Sequence, residues 1–467
     1  MKEPYRTNAL RRPTLSRSLD NLDWLCSNRS SLMTIRRCLV AHLSLALCAM
    51  SGLSSCSSLQ RHSRTGTPNN AFIAYWPAPA NSGRLRLAVK DLIDLKGTVT
   101  TAGSEYVSKN AQPATRDANC MEIARARGVQ VVGKTNLSEF ALSPSGFNRF
   151  FGTPKNPLNR RVNLIPGGSS SGSAIAVADG SADVSFGTDS AGSVRVPAAC
   201  CGVVGLKTTF GLVPLRGVFP VEPRHLDTVG PLGKDIAHTV QGMDLLEENF
   251  AQKYRAAVAD KPSAKNIRIG RLYLDGTDPK IDRAIDDALR LTGFTVINLD
   301  KDFKERWKQA DQDGTAVAAA GAWVSDGKYA AKPGVATRTK SVIALGEIAY
   351  NTTYRSALQR QGAWKRALRR VFQKVDFVAV PTLQHLPPKV PFFLGTPLFE
   401  AEVLVLQNTA GVNFAGNPAL AVPVPVHDKR VPLTSVQLVG PRLAEAELLN
   451  AGRLIEAART KSAPETE

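Results

Sequence analysis

Short β-branched runs alternate with helical segments along most of this 467-residue chain, and that alternation admits few folds. In "DANCMEIARARGVQVVGKT", residues 117–135, Met121, Ile123 and Ala124 mark a helix, Gly128 stops it, and Val129, Val131 and Val132 make a buried strand. "GSAIAVADG", residues 172–180, reads as a small-residue helix and "DVSFGTD", residues 183–189, as the next strand. The second half follows the same alternation, with a strand in "IRIGRLYL", an amphipathic helix in "DPKIDRAIDDALRLTG" and a strand in "FTVINLD". From Thr337 to Gln373 the chain is basic and helical, and "FVAVPT" and "PALAVPVPV" are core strands. Apolar strands of this kind need cover on both faces, which predicts an α/β sheet between helical layers. With 43% hydrophobic residues, no clean central linker and no internal repeat, one large domain is expected.

The N-terminus follows different rules. Arg36 and Arg37 precede "CLVAHLSLALCAM", Cys38 to Met50, too short to span a bilayer and the length of a signal-peptide apolar region. "LSSC", Leu53 to Cys56, resembles a lipobox, in which the cysteine is lipidated and becomes the first mature residue. Residues 1–56 are therefore expected to be an N-terminal extension and export signal, with translation starting at Met1 or Met33. The alternative is a short apolar helix retained in a cytoplasmic protein. Residues 57–74 read as a polar linker, 75–460 as the main domain and 461–467 as a tail. A periplasmic or cell-envelope location, with a lipid on Cys56, follows from the signal reading.

The net charge of +19 raises nucleic acid and anionic membrane as partners. About a third of the excess sits before residue 65, with ten Lys or Arg against three Asp or Glu. The rest is scattered, without the basic and aromatic interleaving of a nucleic-acid groove, so no nucleic-acid partner is expected. Of the cysteines outside the signal, Cys120, Cys200 and Cys201 read as buried thiols. No CxxC or Cys/His spacing points to a metal site.

"GGSSSGS", from Gly167 to Ser173, raises the question of a nucleophile. Gly168, Ser170 and Gly172 satisfy the G-x-S-x-G elbow of α/β-hydrolases, but a serine run between glycines meets that pattern by chance. The elbow also needs a downstream histidine, and none of His225, His238, His385 and His427 lies in a matching stretch. The other reading is a Gly/Ser turn opening a tightly packed helix. A second small-residue turn, "GTDSAGSVRVPAACCGVVGLKTTFG", follows at Gly187, and "AVKD" lies upstream at Ala88.

Together, "GGSSSGSA", "GTDSAGSVRVPA", "CGVVGLKTTFG" and "LDTVGPL" closely resemble the amidase signature family in order and spacing. "VVGKTNLSEFA", "FGTPKNPLN", "FAGNPALAVPVPV" and "SVQLVGP" extend the resemblance over roughly residues 85–457. It implies a mixed central sheet in a single α/β domain and hydrolysis of a carboxylic amide to acid plus ammonia or amine. It implies Ser193 as nucleophile, Ser169, after a cis peptide bond, as proton relay, and Lys90 of "AVKD" as base; Lys96 is a neighbouring alternative. No metal or organic cofactor is implied.

The chemistry suits those residue types. A serine hydroxyl is a poor nucleophile until its proton is taken, and a lysine takes it only when neutral, a state that burial favours. Backbone N–H groups of Ser190, Ala191, Gly192 and Ser193 are expected to form the oxyanion hole, with Asp189 and Arg195 bracing the turn. The substrate pocket is expected to draw on segments such as Phe147 to Phe151 and Gly321 to Tyr354. Two other readings keep the same fold: an amidotransferase subunit that supplies ammonia for a tRNA-bound substrate, and a non-catalytic amidase-like binding protein. The second would lack its nucleophile, whereas Lys90, Ser169 and Ser193 are all present.

Overall fold

The computed structural model describes residues 67–79, 83–391, 396–405 and 407–462. The apolar N-terminal run, Cys56 and the last five residues lie outside the described residues. One eleven-stranded sheet organises the rest. Its strands are β1 (Phe72–Tyr75), β2 (Arg86–Lys90), β3 (Gln130–Thr135), β4 (Val184–Asp189), β5 (Val204–Lys207) and β6 (Thr228–Gly233). They continue with β7 (Arg268–Arg271), β8 (Thr295–Asn298), β9 (Phe377–Pro381), β10 (Ala419–Pro425) and β11 (Leu433–Val439). The spatial order is β1-β3-β2-β4-β6-β5-β10-β11-β9-β7-β8. Strand β2 runs parallel to β3 and β4, and β7 runs parallel to β8 and β9. The other neighbours are antiparallel, so the sheet is mixed.

Alternate residues of single strands enter different cores, which is how both faces come to be covered. In β2, Leu87 and Val89 join a cluster that includes Met243, Leu289 and Leu448, while Ala88 packs with Ile175 and Val177 of helix Ser171–Ala178. In β9, Phe377 and Ala379 belong to the first cluster, and Val378 and Val380 pack with Trp307 and Trp364. Strand β4 is buried at every position, its polar Ser185, Thr188 and Asp189 included. The sheet starts at Phe72 rather than at Tyr75. Phe72 is buried and pairs with Thr135 of β3, which draws the end of the expected linker into the fold. At the other edge β8 is exposed throughout, an edge strand with one neighbour.

Local signals explain the helices that were legible. Helix Pro279–Thr292 starts with proline in its first turn and with Asp278, whose carboxylate accepts from the Lys280 N–H at 2.9 Å. Gly293 ends it in the left-handed region at φ 83°. Ile281, Ala284, Ile285 and Leu289 form its buried stripe. Ile285 has no exposed surface, so Ile285→Ala should cost about 2–5 kcal/mol. A lower urea midpoint with an unchanged slope checks this, and turnover per folded molecule should stay at the wild-type value because the site lies elsewhere.

Candidate active site

Strand β2 delivers Lys90 to the interior with no exposed surface. Its ammonium nitrogen donates to Ser169 Oγ at 2.7 Å and to Thr188 Oγ1 at 2.8 Å. Burial pulls its pKa from 10.5 down to about 7, against the pull of the Asp189 and Asp227 carboxylates toward the charged form. Lys96, the alternative, is exposed on a turn.

Ser169 stands at the mouth of the turn that opens helix Ser171–Ala178, and the peptide bond before it is cis. Its carbonyl accepts from the Ser138 N–H at 3.2 Å. The neighbouring serines do other work. The Ser170 hydroxyl donates to the Thr188 carbonyl at 3.3 Å, and that of Ser173 lies between Thr135 Oγ1 and the Phe186 carbonyl. Ser170, centre of the apparent elbow, has no exposed surface. Its N–H donates to the Ser193 carbonyl at 3.2 Å and so ties the two turns together.

Ser193 is half-buried at the end of the turn after β4, and among the described residues its hydroxyl forms no hydrogen bond. The structure thus joins Lys90 to Ser169 directly and joins Ser169's turn to Ser193's through the backbone. Asp189 shapes that second turn. It accepts from the N–H groups of Gly192 at 2.7 Å and Val194 at 3.1 Å, from Arg195 Nε and Nη2 at 3.0 and 2.9 Å, and from Asn413 Nδ2 at 2.9 Å. Burial opposes its charge, but the charge and hydrogen bonds of Arg195, together with Lys207 and Asn413, outweigh it and hold the carboxyl well below the usual range.

One expected oxyanion donor is corrected here. The Gly192 N–H points at Asp189 and is unavailable to a substrate oxygen. The N–H groups of Ser190, Ala191 and Ser193 have no acceptor among the described residues. The Ser190 hydroxyl donates to Asp227 at 2.6 Å, and Asp227 is held by the N–H groups of Val221 and Glu222.

Several residues here were not anticipated: Thr188 beside Lys90, Asp227 beneath Ser190, and the Arg195 partners Thr409, Asn413 and Gln437. Thr188 and Asp227 lie within motifs quoted above, "GTDSAGS" and "LDTVGPL", and were open to notice. The Arg195 partners have no local signal. Of the pocket segments, Phe147 stacks on Phe399 at 5.7 Å between ring centres, and the Tyr354 hydroxyl donates to Glu222 at 3.3 Å. Burial pushes the Cys120 and Cys200 thiols up to about 12, which makes them poor nucleophiles. Among the described residues, no group of three His, Cys, Asp or Glu is placed to hold a metal ion.

Residues 85–449 match the sequence model of the family described as Amidase. A glutamyl-tRNA(Gln) amidotransferase subunit of Halobacterium salinarum is 33% identical over 407 residues, covering 79% of this chain and 94% of that one. The 2-amino-5-chloromuconic acid deaminase of Comamonas testosteroni is 31% identical over 461 residues, covering 89% and 96%. In structure, a glutamyl-tRNA(Gln) amidotransferase subunit of Thermotoga maritima superposes with a TM-score of 0.67 at 24% identity, covering 85% of this chain and 88% of that one; it shares the fold. The chain belongs to the amidase family, enzymes that act on carbon–nitrogen amide bonds.

Proposed function

We propose that this protein hydrolyses a carboxylic amide through an acyl-enzyme on Ser193, with Ser169 relaying protons to and from a neutral Lys90. The observation that carries the reading is a fully buried lysine, depressed to about 7, in contact with Ser169, whose turn is bonded to that of Ser193. In the first step Ser193 Oγ attacks the carbonyl carbon, its proton passes to Ser169, and the Ser169 proton passes to Lys90 Nζ. The negative oxygen of the tetrahedral adduct faces the N–H groups of Ser190, Ala191 and Ser193, each donor supplying about 2.7–4 kcal/mol. Collapse of the adduct breaks the carbon–nitrogen bond, and the leaving amine takes a proton back along the same path. Water then attacks the acyl-enzyme, frees the acid and restores all three residues.

We further infer that the chain acts alone on a small amide or peptide amide in the cell envelope. The Arg36–Arg37 pair, the apolar run to Met50 and "LSSC" support export and lipidation of Cys56. A second reading is favoured by the 33% identity to an amidotransferase subunit: glutamine hydrolysis that feeds ammonia to a partner chain. A panel of amides including glutamine, followed for ammonia and amine release, separates the two.

Three outcomes are expected. A fluorophosphonate probe should label the wild type and fail to label Ser193→Ala, and equal labelling of the two would move the nucleophile elsewhere. Because only deprotonated Lys90 takes the Ser169 proton, kcat/KM should rise tenfold per pH unit below about 7 and level off above it. Lys90→Met should remove that limb along with at least about a thousandfold of activity. Labelled palmitate should enter the wild type grown in a bacterial host and be absent from Cys56→Ala, which should appear in the soluble fraction.

A further inference from the structure

We propose that Glu400 is a positioning residue for the proton relay: its carboxylate, gripping Ser143, Ser145 and Arg338, seats the 143–147 loop against the Gly168–Ser169 peptide and thereby sets where Ser169 stands. The inference rests on the amidase reading above.

The contacts run without a gap. Glu400 lies on helix Pro397–Val405. One of its carboxylate oxygens accepts from Ser143 Oγ at 2.6 Å, and the other from Ser145 Oγ and Arg338 Nη1, each at 2.7 Å. The two serine hydroxyls are themselves 2.8 Å apart, and Arg338 also donates to the Phe147 carbonyl at 2.7 Å. The pair is well shielded, with side-chain exposures of 14% for Arg338 and 10% for Glu400, so these bonds compete with little water. From the loop, the Pro144 carbonyl accepts from the Gly168 N–H at 2.7 Å. The Ser143 carbonyl accepts from Ser138 Oγ at 2.9 Å, and the Ser138 N–H donates to the Ser169 carbonyl.

Backbone meets backbone where the loops touch. A Cβ on Gly168 would lie 2.4 Å from the Ser143 carbonyl oxygen, and one on Gly146 would lie 2.4 Å from that of Gly167. These nearest approaches are backbone to backbone, so a shift of the 143–147 loop passes into the Ser169 turn. A carboxylate suits the anchor because it accepts from two hydroxyls and a guanidinium at once, whereas a neutral amide loses the ionic partner and one acceptor.

Displacing Ser169 should penalise amides more than activated esters. An amine leaves only after receiving a proton through Ser169, whereas p-nitrophenolate leaves without one. For Glu400→Ala in the full chain, kcat/KM for an anilide should fall about 10- to 100-fold, as a misplacement of about an ångström costs. The matching p-nitrophenyl ester needs Ser169 only to take the Ser193 proton, so its kcat/KM should fall several-fold less than the anilide's, and Glu400→Gln should lie between wild type and alanine. The double change Ser143→Ala with Ser145→Ala leaves the Arg338–Glu400 pair in place and should show the same amide-selective loss, so the test does not depend on Glu400→Ala folding. Equal losses for amide and ester in these variants, or no loss, overturn the proposal. A wild type that cleaves neither substrate and takes up no fluorophosphonate overturns the amidase reading itself.

Discussion

A buried ion pair at the end of β4 shapes the turn on which the chemistry depends. Asp189 and Arg195 have no exposed surface, and they are 2.9 Å apart. Taking two charges out of water costs several kcal/mol each, and such a pair persists only when its remaining donors and acceptors are satisfied. Here they are. Asp189 is capped by two backbone N–H groups and Asn413, and Arg195 reaches the Thr409 carbonyl, Gln437 and Asn413. The pair therefore binds the turn to helix Arg195–Cys201, to helix Ala410–Ala415 and to β11 in one cluster. Removing one partner would strand the other charge, at roughly 3–5 kcal/mol, and would release the turn that carries Ser193.

Burial, acting against Asp189 of that pair, sets the state of Lys90. Holding a lysine neutral at about 7 rather than 10.5 corresponds to about 5 kcal/mol of differential interaction at 1.36 kcal/mol per pH unit. Two buried carboxylates work against it. Arg195 offsets the charge of Asp189, and Asp227 spends its oxygens on Ser190 and two backbone N–H groups, so desolvation of Lys90 prevails. Lys207 is the instructive contrast. Burial brings it to about 7 as well, yet its nitrogen donates to the carbonyls of Thr208 and Asn417 and meets no serine. A depressed lysine is thus common to two strands of this sheet, and the contact with Ser169 sets Lys90 apart.

The strands that read clearly, such as β3, β4 and β10, carry β-branched or aromatic residues close together: Val131 and Val132, Val184 and Phe186, Val422 and Val424. Strands β6 and β11 carry weaker signals. Gly230 and Pro231 interrupt β6 in a pattern that ordinarily marks a loop. Thr434, Ser435 and Gln437 give β11 a polar look, although all three are buried. Helix Lys301–Asp326 turns Ala310, Gly314, Ala320 and Gly321 toward its neighbours, residues too small to stand out as an apolar stripe. Lys90, Ser169 and Ser193 were legible because each sits inside a distinctive motif at a fixed interval. The braces were not: Arg195 finds Thr409 and Gln437 across 214 and 242 positions, and one sequence holds no record of such pairings.

The turn after β4 is small-residued for a reason that lies in the protein's own frame. At Gly192 the crowding comes from the protein: a Cβ would lie 2.1 Å from Thr409 Oγ1, and φ is 132°. The peptide unit joining Ala191 to Gly192 is pinned at both ends, its carbonyl accepting from the Thr409 hydroxyl and its N–H donating to Asp189. That unit belongs to the frame. Fixing it leaves the Ala191 and Ser193 N–H groups, on the peptide units to either side, as the adjacent donors of the proposed mechanism. A donor held by a braced backbone needs no reorganisation when charge develops on the substrate, and this makes it effective in a site shielded from water. The buried pair behind the turn therefore serves the same end as the buried lysine beside it: both fix, before substrate arrives, what the reaction would otherwise have to rearrange.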